Sequence, residues 1–197
     1  VFVSGEYGQI SELYAWIALL LAILTFGMET TFFRFSQKED SRKVFNNAET
    51  LVLLISTVFL LFYCFFYKSF AELIHYEFNT HYVLLLGIIV AVDAAAAIPF
   101  AMLRKENKAG RFSLIKTINV LTNIFFNILF LVIIPEKSMM IAEHIFGQQT
   151  SLLIWVFVSN ILASVLNLIL LAPQLSTLKI SLNKELIIPM LRYSFPI

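Results

Sequence analysis

The chain has 197 residues, of which 59% are hydrophobic, 14% are charged and 20 are phenylalanine, and its formal net charge is +1. Soluble domains carry about 25% charged residues, so this composition argues against a water-surrounded globule and for a bilayer as solvent. The near-neutral charge gives no reason to expect nucleic acid, and the single cysteine, Cys64, lies in an apolar run and forms no internal disulfide.

A membrane-crossing helix needs about 20 mostly apolar residues, because about 30 Å of hydrocarbon is crossed at 1.5 Å per residue. Five segments meet that requirement in chain order: Leu13 to Phe33, Leu51 to Tyr67, Tyr82 to Leu103, Phe112 to Ile134 and Leu152 to Ala172. The runs are long and lack two-residue alternation, so an all-α polytopic transmembrane bundle is predicted rather than a barrel. A sixth apolar helix begins in the last residues, 186–197, and the chain starts on Val1 rather than Met. The chain is therefore expected to be a fragment.

Lysine and arginine assign the sides. Arg34, Lys38, Arg42 and Lys43 follow the first span; only Lys68 follows the second; Arg104, Lys105, Lys108 and Arg111 follow the third, with Lys116 just inside the fourth; only Lys137 follows the fourth; Lys179, Lys184 and Arg192 follow the fifth. This alternation matches the positive-inside rule and places the first connection in the cytoplasm. The sparse connections, roughly 68–81 and 135–151, are then outside. Tyr76, Tyr82 and Trp155 are expected at the interface, and Phe70, Leu73, Ile74 and Phe78 as a short amphipathic turn along the membrane. His75, His81 and His144 match no metal spacing.

Polar residues within spans need a partner, a cavity or a function. In the fourth span Lys116, Asn119, Asn123 and Asn127 step by 3, 4 and 4 along one helical face. They read either as the wall of a hydrated pathway or as interhelical hydrogen-bonding groups. In the fifth, Asn160, Ser164 and Asn167 share a face under the same two readings. Asp93 lies about 16 Å from Arg104 along the third span, ahead of four alanines and Pro99, which is expected to kink the helix. Asp93, with Glu29 at the end of the first span, is a candidate for ion or proton coupling, or else a structural partner for Lys116 or an asparagine. Arg34, at the cytoplasmic mouth, is an anion-capturing group or an orientation anchor. The sequence contains no Gly-rich phosphate loop, nucleophile elbow or His-based triad. No enzyme activity, cofactor or metal is expected.

Two stretches carry a family likeness. One is Gly5-Glu6-Tyr7-Gly8-Gln9-Ile10 with Thr25-Phe26-Gly27-Met28-Glu29-Thr30-Thr31-Phe32-Phe33-Arg34-Phe35-Ser36; the other is Ile98-Pro99-Phe100-Ala101-Met102-Leu103-Arg104-Lys105-Glu106-Asn107-Lys108 and the following 112–119. Together they resemble the polysaccharide-biosynthesis (Wzx-type) flippases of the MOP superfamily, whose relatives include the MATE drug exporters and the lipid II flippases. The resemblance implies an N-terminal lobe, matched as the second to sixth helices of a two-lobed protein. Arg192-Tyr193-Ser194-Phe195-Pro196 resembles the start of the seventh. It implies transport of an oligosaccharide on an undecaprenyl (pyro)phosphate carrier across the inner membrane by alternating access. The partners implied are that lipid-linked substrate, membrane lipids and a missing C-terminal lobe. Arg34 is the one residue whose position carries over as a pyrophosphate contact. A cation-coupled drug or metabolite exporter, and a membrane-embedded glycan polymerase or acyltransferase, are the alternatives.

Overall fold

A computed structural model of the chain describes residues 4–76, 79–147 and 150–194, with the backbone alone for 4–6. Phe78, Phe195, Pro196 and Ile197 lie outside the described residues, as does the side chain of Glu6. Among the described residues the secondary structure is helical throughout, in the order α1 (Ser4–Thr25), α2 (Met28–Phe35), α3 (Ser41–Leu73), α4 (Thr80–Lys105), α5 (Ala109–Ile128) with a π-helical turn Leu129–Ile133, α6 (Pro135–Phe146), α7 (Ile154–Leu170), α8 (Ala172–Leu175) and α9 (Lys184–Ser194).

Four stretches are long and apolar enough to cross a membrane: Tyr7–Phe35, Ser41–Leu73, Thr80–Lys105 and Ala109–Ile133. The fifth expected span forms α7, whose 17 residues reach about 25 Å and fall short of that length. The chain is an all-helical, membrane-type protein. Its exterior fits that reading, with Phe65, Ile133, Val132 and Ile169 all exposed where lipid tails would cover them.

α4 is the central element. In its most apolar window 67% of residues are buried, against 6% in the α5 window. It packs on α1, α3 and α7, while α5 packs on α7. The buried Ala94 and Ala96 let neighbours approach it closely. Tyr63 of α3 lies over Gly87 of α4, where a Cβ would collide with the ring, and its hydroxyl donates to the Val83 carbonyl at 2.9 Å. The helix runs unbroken through Pro99.

The first apolar run is divided. Phe26 and Gly27 both take positive φ, 35° and 68°, a turn that glycine makes at little cost. Beyond the break, α2 packs on α9, α4 and α3.

α3 exceeds the predicted 51–67 at both ends. Asp40 caps it by accepting the Lys43 N–H at 2.8 Å, and its 33 residues extend about 50 Å. Its polar first turns read as a loop in sequence, yet Asn46, Asn47, Glu49 and Thr50 are all buried by other parts of the chain. At the other end, Phe70 and Leu73 belong to the last turns of α3 rather than to a separate interfacial turn. Residues 135–146, expected as a loop, form α6, with proline at its first turn and Glu136 beside it, both favourable helix-start residues.

The three aromatics expected at the interface are buried within the protein against specific partners. Tyr76 donates to Glu12 Oε2 at 2.9 Å. Tyr82 shares a hydrogen bond with Ser151 at 3.0 Å. Trp155 Nε1 donates to the Ser138 carbonyl at 3.0 Å, tying α7 to α6.

Candidate functional site: a polar cavity between α1, α2, α4, α5 and α7

A cavity of about 420 Å³ opens where the α1–α2 break, α4, α5 and α7 face one another. Its walls include Glu29, Asp93, Arg104, Lys116, Asn119, Asn160, Ser164 and Asn167, set among Leu21, Phe100 and Phe112. Each wall follows from helical spacing. Asn160, Ser164 and Asn167 step by 4 and 3 along α7; Asp93, Ala97, Phe100 and Arg104 step by 4, 3 and 4 along α4; Lys116 and Asn119 lie one turn apart on α5.

The charged groups are held in different ways. Arg104 Nη2 meets Glu29 Oε1 at 2.6 Å, and its guanidinium also lies 5.3 Å from the ring centres of both Phe33 and Phe112. Lys116 Nζ sits 4.2 Å from the Phe100 ring centre and forms no ion pair among the described residues. A cation on an aromatic face keeps its charge available, because the contact is worth only about 0.5–2 kcal/mol. Asp93 is partly exposed and lines the same cavity as Lys116. On α7, Asn160 Nδ2 donates to the Tyr14 hydroxyl at 3.1 Å and its Oδ1 accepts from Ser164 at 3.4 Å. Asn167 Oδ1 is buried with no partner among the described residues. That acceptor is free for a donor entering the cavity, such as a hydroxyl or water.

Of the residues singled out in sequence, Glu29, Asp93, Lys116, Asn119, Asn160 and Asn167 line this one space. Arg34, Asn123 and Asn127 do not. Arg34 lies 4.1 Å from the Tyr193 ring centre and joins α2 to α9. Asn127 Nδ2 turns back along α5 to the Asn123 side chain at 2.5 Å and to the Asn123 carbonyl at 2.9 Å. These bonds tie the second half of the α5 stripe to its own helix, although Asn127 Oδ1 is left buried with no partner among the described residues.

Two groups escaped the sequence reading. Arg104 counted as a loop charge and as part of the 98–108 stretch but not as a site residue, although the 93–97–100–104 stripe places it on the Asp93 face. Glu49 is fully buried, and both its carboxylate oxygens lack a partner among the described residues; no periodicity in its polar neighbourhood distinguishes it. Among the described residues no group of three His, Cys, Asp or Glu side chains is placed to hold a metal ion.

The fold and the cavity together define a class: an all-helical membrane-type protein with a charged, amide-lined cavity inside an apolar exterior. Comparison with known proteins finds no matching family model, no matching curated protein and no matching solved structure.

Proposed function

We propose that the chain is a lobe of a transporter that moves an oligosaccharide, carried on an undecaprenyl (pyro)phosphate lipid, from the cytoplasmic to the outer leaflet of the inner membrane by alternating access. The observation that carries the proposal is the cavity. It combines two cations, Lys116 and the Glu29-paired Arg104, with Asp93 and the side-chain amides of Asn119, Asn160 and Asn167. A sugar–pyrophosphate headgroup loses its hydration on entering hydrocarbon, at a cost of several kcal/mol for each polar group left unpaired. Cations replace water at phosphate oxygens, and amides both donate to and accept from sugar hydroxyls. In this reading α7 and its flanking turns make the fifth crossing, and a second lobe closes the pathway from the far side. The resemblance of 25–36 and 98–108 to the flippases points the same way.

The test is export. A clean deletion, with no paralogue present, is expected to trap lipid-linked glycan on the cytoplasmic leaflet, and Lys116→Gln to slow export while the protein still inserts. Normal glycan export in the deletion strain would end the proposal. Asp93 favours a second reading, a cation-coupled exporter, because a carboxylate in the cavity can carry a proton or a cation. Loss of cationic-dye efflux in Asp93→Asn, with glycan export intact, would select that reading.

A further inference from the structure

The Lys/Arg-rich side holds a second recess that the central cavity does not explain. It has a volume of about 570 Å³ and lies between the start of α3 and the segment after α8. Three cations line it, Arg42, Lys43 and Lys179, against one carboxylate, Asp40. The carboxylate already accepts the Lys43 N–H at 2.8 Å.

The recess is built by an extended strap, 178–183, clamped onto α3. Alternate strap amides are captured by the polar face of that helix: the Lys179 N–H by Asn46 Oδ1 at 3.1 Å, the Ser181 N–H by Thr50 Oγ1 at 3.2 Å and the Asn183 N–H by Asn47 Oδ1 at 2.7 Å. Asn46 lies one turn after Arg42 on the same face of α3. Capturing the Lys179 amide there brings the Lys179 and Arg42 charges to a single recess.

Arg42 is the group that calls for a ligand. Its guanidinium lies 5.6 Å from the Phe45 ring centre, and its Nη1 is buried with no acceptor among the described residues. A buried donor of a charged group left without an acceptor costs about 1–3 kcal/mol or more. Ser176 and Thr177 lie in the same recess, yet neither hydroxyl accepts from it. An anion with several acceptor oxygens meets the need.

We propose that this recess binds a phosphate group, and that the phosphate belongs to the headgroup of an anionic membrane lipid. The strap favours the lipid over a free phosphate. Ile180 is 86% exposed and Leu182 48% exposed, beside Lys179. Apolar side chains flanked by cations are the pattern of an interfacial element, with the former among acyl chains and the latter at the headgroups. The inference stands apart from the transport reading, since no residue of the recess lines the central cavity.

The test uses the full chain purified in detergent. Its thermal unfolding is followed while short-chain phosphatidylglycerol, phosphatidylcholine or inorganic phosphate is added. Phosphatidylglycerol is expected to raise the unfolding temperature saturably and phosphatidylcholine to leave it unchanged. Arg42→Gln, Lys43→Gln and Lys179→Gln are each expected to weaken half-saturation by about fivefold, whereas Lys68→Gln, at the opposite end of α3, leaves it unchanged. An equal shift from inorganic phosphate, with the same dependence on the variants, keeps the site and assigns it to soluble phosphate. The proposal is overturned if phosphatidylglycerol gives no shift, or if the shift survives intact in both Lys43→Gln and Lys179→Gln. Those two side chains are exposed, so the test remains decisive even if Arg42→Gln fails to fold.

Discussion

Glu29 and Arg104 join two helices across the Lys/Arg-rich end of the central cavity, Oε1 to Nη2 at 2.6 Å. Glu29 lies just after the Phe26–Gly27 turn, on a helix that packs on α4, and Arg104 lies in the last turn of α4. Their side chains are 44% and 37% exposed, so solvent screening limits the pair to less than about 1 kcal/mol of stability. Both residues line the cavity, so the pair is expected to act on access. Glu29→Gln is expected to leave thermal stability nearly unchanged but to speed thiol labelling of Ala97→Cys, a cavity position, in a Cys64→Ser background. Exchanging the two charges, Glu29→Arg with Arg104→Glu, is expected to slow labelling again. Equal labelling rates in Glu29→Gln and its parent would show that the pair does not limit entry.

The α3–α4 contact depends on a missing side chain. A methyl group at Gly87 would enter the Tyr63 ring, and that ring is fixed by its bond to Val83 and by stacking on Phe70, with ring centres 5.2 Å apart. Gly87→Ala is expected to destabilise the protein by about 1–3 kcal/mol, measured by thermal unfolding in detergent. Adding Tyr63→Leu is expected to recover part of the loss. If Gly87→Ala matches the parent, α3 and α4 are not packed this closely.

Hydropathy alone located the long helices, because a bilayer demands length and apolarity and both are local properties of a run. Helical spacing also placed Lys116 and Asn119 on one face of α5 and Asn160 and Asn167 on one face of α7. What neither could show is which faces meet. Asn123 and Asn127 continue the same helical stripe as Lys116 and Asn119, yet they bond to each other and do not line the cavity. The first turns of α3 looked like a loop because Asn46, Asn47, Glu49 and Thr50 are polar. They are helical because Asp40 caps them and the strap, more than 130 residues later in the chain, supplies donors for three of them. Tyr76, Tyr82 and Trp155 were placed by the preference of aromatic rings for the interface, and Glu12, Ser151 and Ser138 are partners that no local window reveals.

The strap clamp makes a local prediction. Asn47 Oδ1 accepts the Asn183 N–H at 2.7 Å while its Nδ2 donates to the Lys43 carbonyl at 2.9 Å. Asn183 in turn accepts the Glu185 N–H at 3.0 Å, capping the start of α9. Asn47→Ala is expected to raise hydrogen exchange at Asn183 and Glu185, at a cost of about 1–3 kcal/mol, with α4 amides unaffected. Asn47→Asp keeps an acceptor and is expected to retain most of the protection at Asn183. Equal exchange in Ala and Asp variants would mean that the bond to Asn183 contributes nothing.

Tyr76 supplies a pH dependence whose sign is fixed. Burial, then the hydrogen bond and the negative charge of Glu12, raise its phenol above the ordinary tyrosine value. The unfolded chain gives up that proton near pH 10 (about 10 for a free tyrosine), while the folded chain retains it to higher pH. Between those values the folded state binds more protons, so stability falls as pH rises. The stabilisation from Tyr76 is therefore complete below about pH 10 and is lost progressively as pH climbs toward the folded value. Tyr76→Phe removes the titrating group. At neutral pH it is expected to cost about 0.5–1.5 kcal/mol for the bond to Glu12. Under alkaline conditions the variant loses less stability than its parent, so the gap in unfolding temperature narrows. Other tyrosines titrate in the same range, and only the difference between the two proteins isolates Tyr76. A gap that stays constant from neutral pH into the alkaline range would show that the phenol is not held in the neutral form by its site.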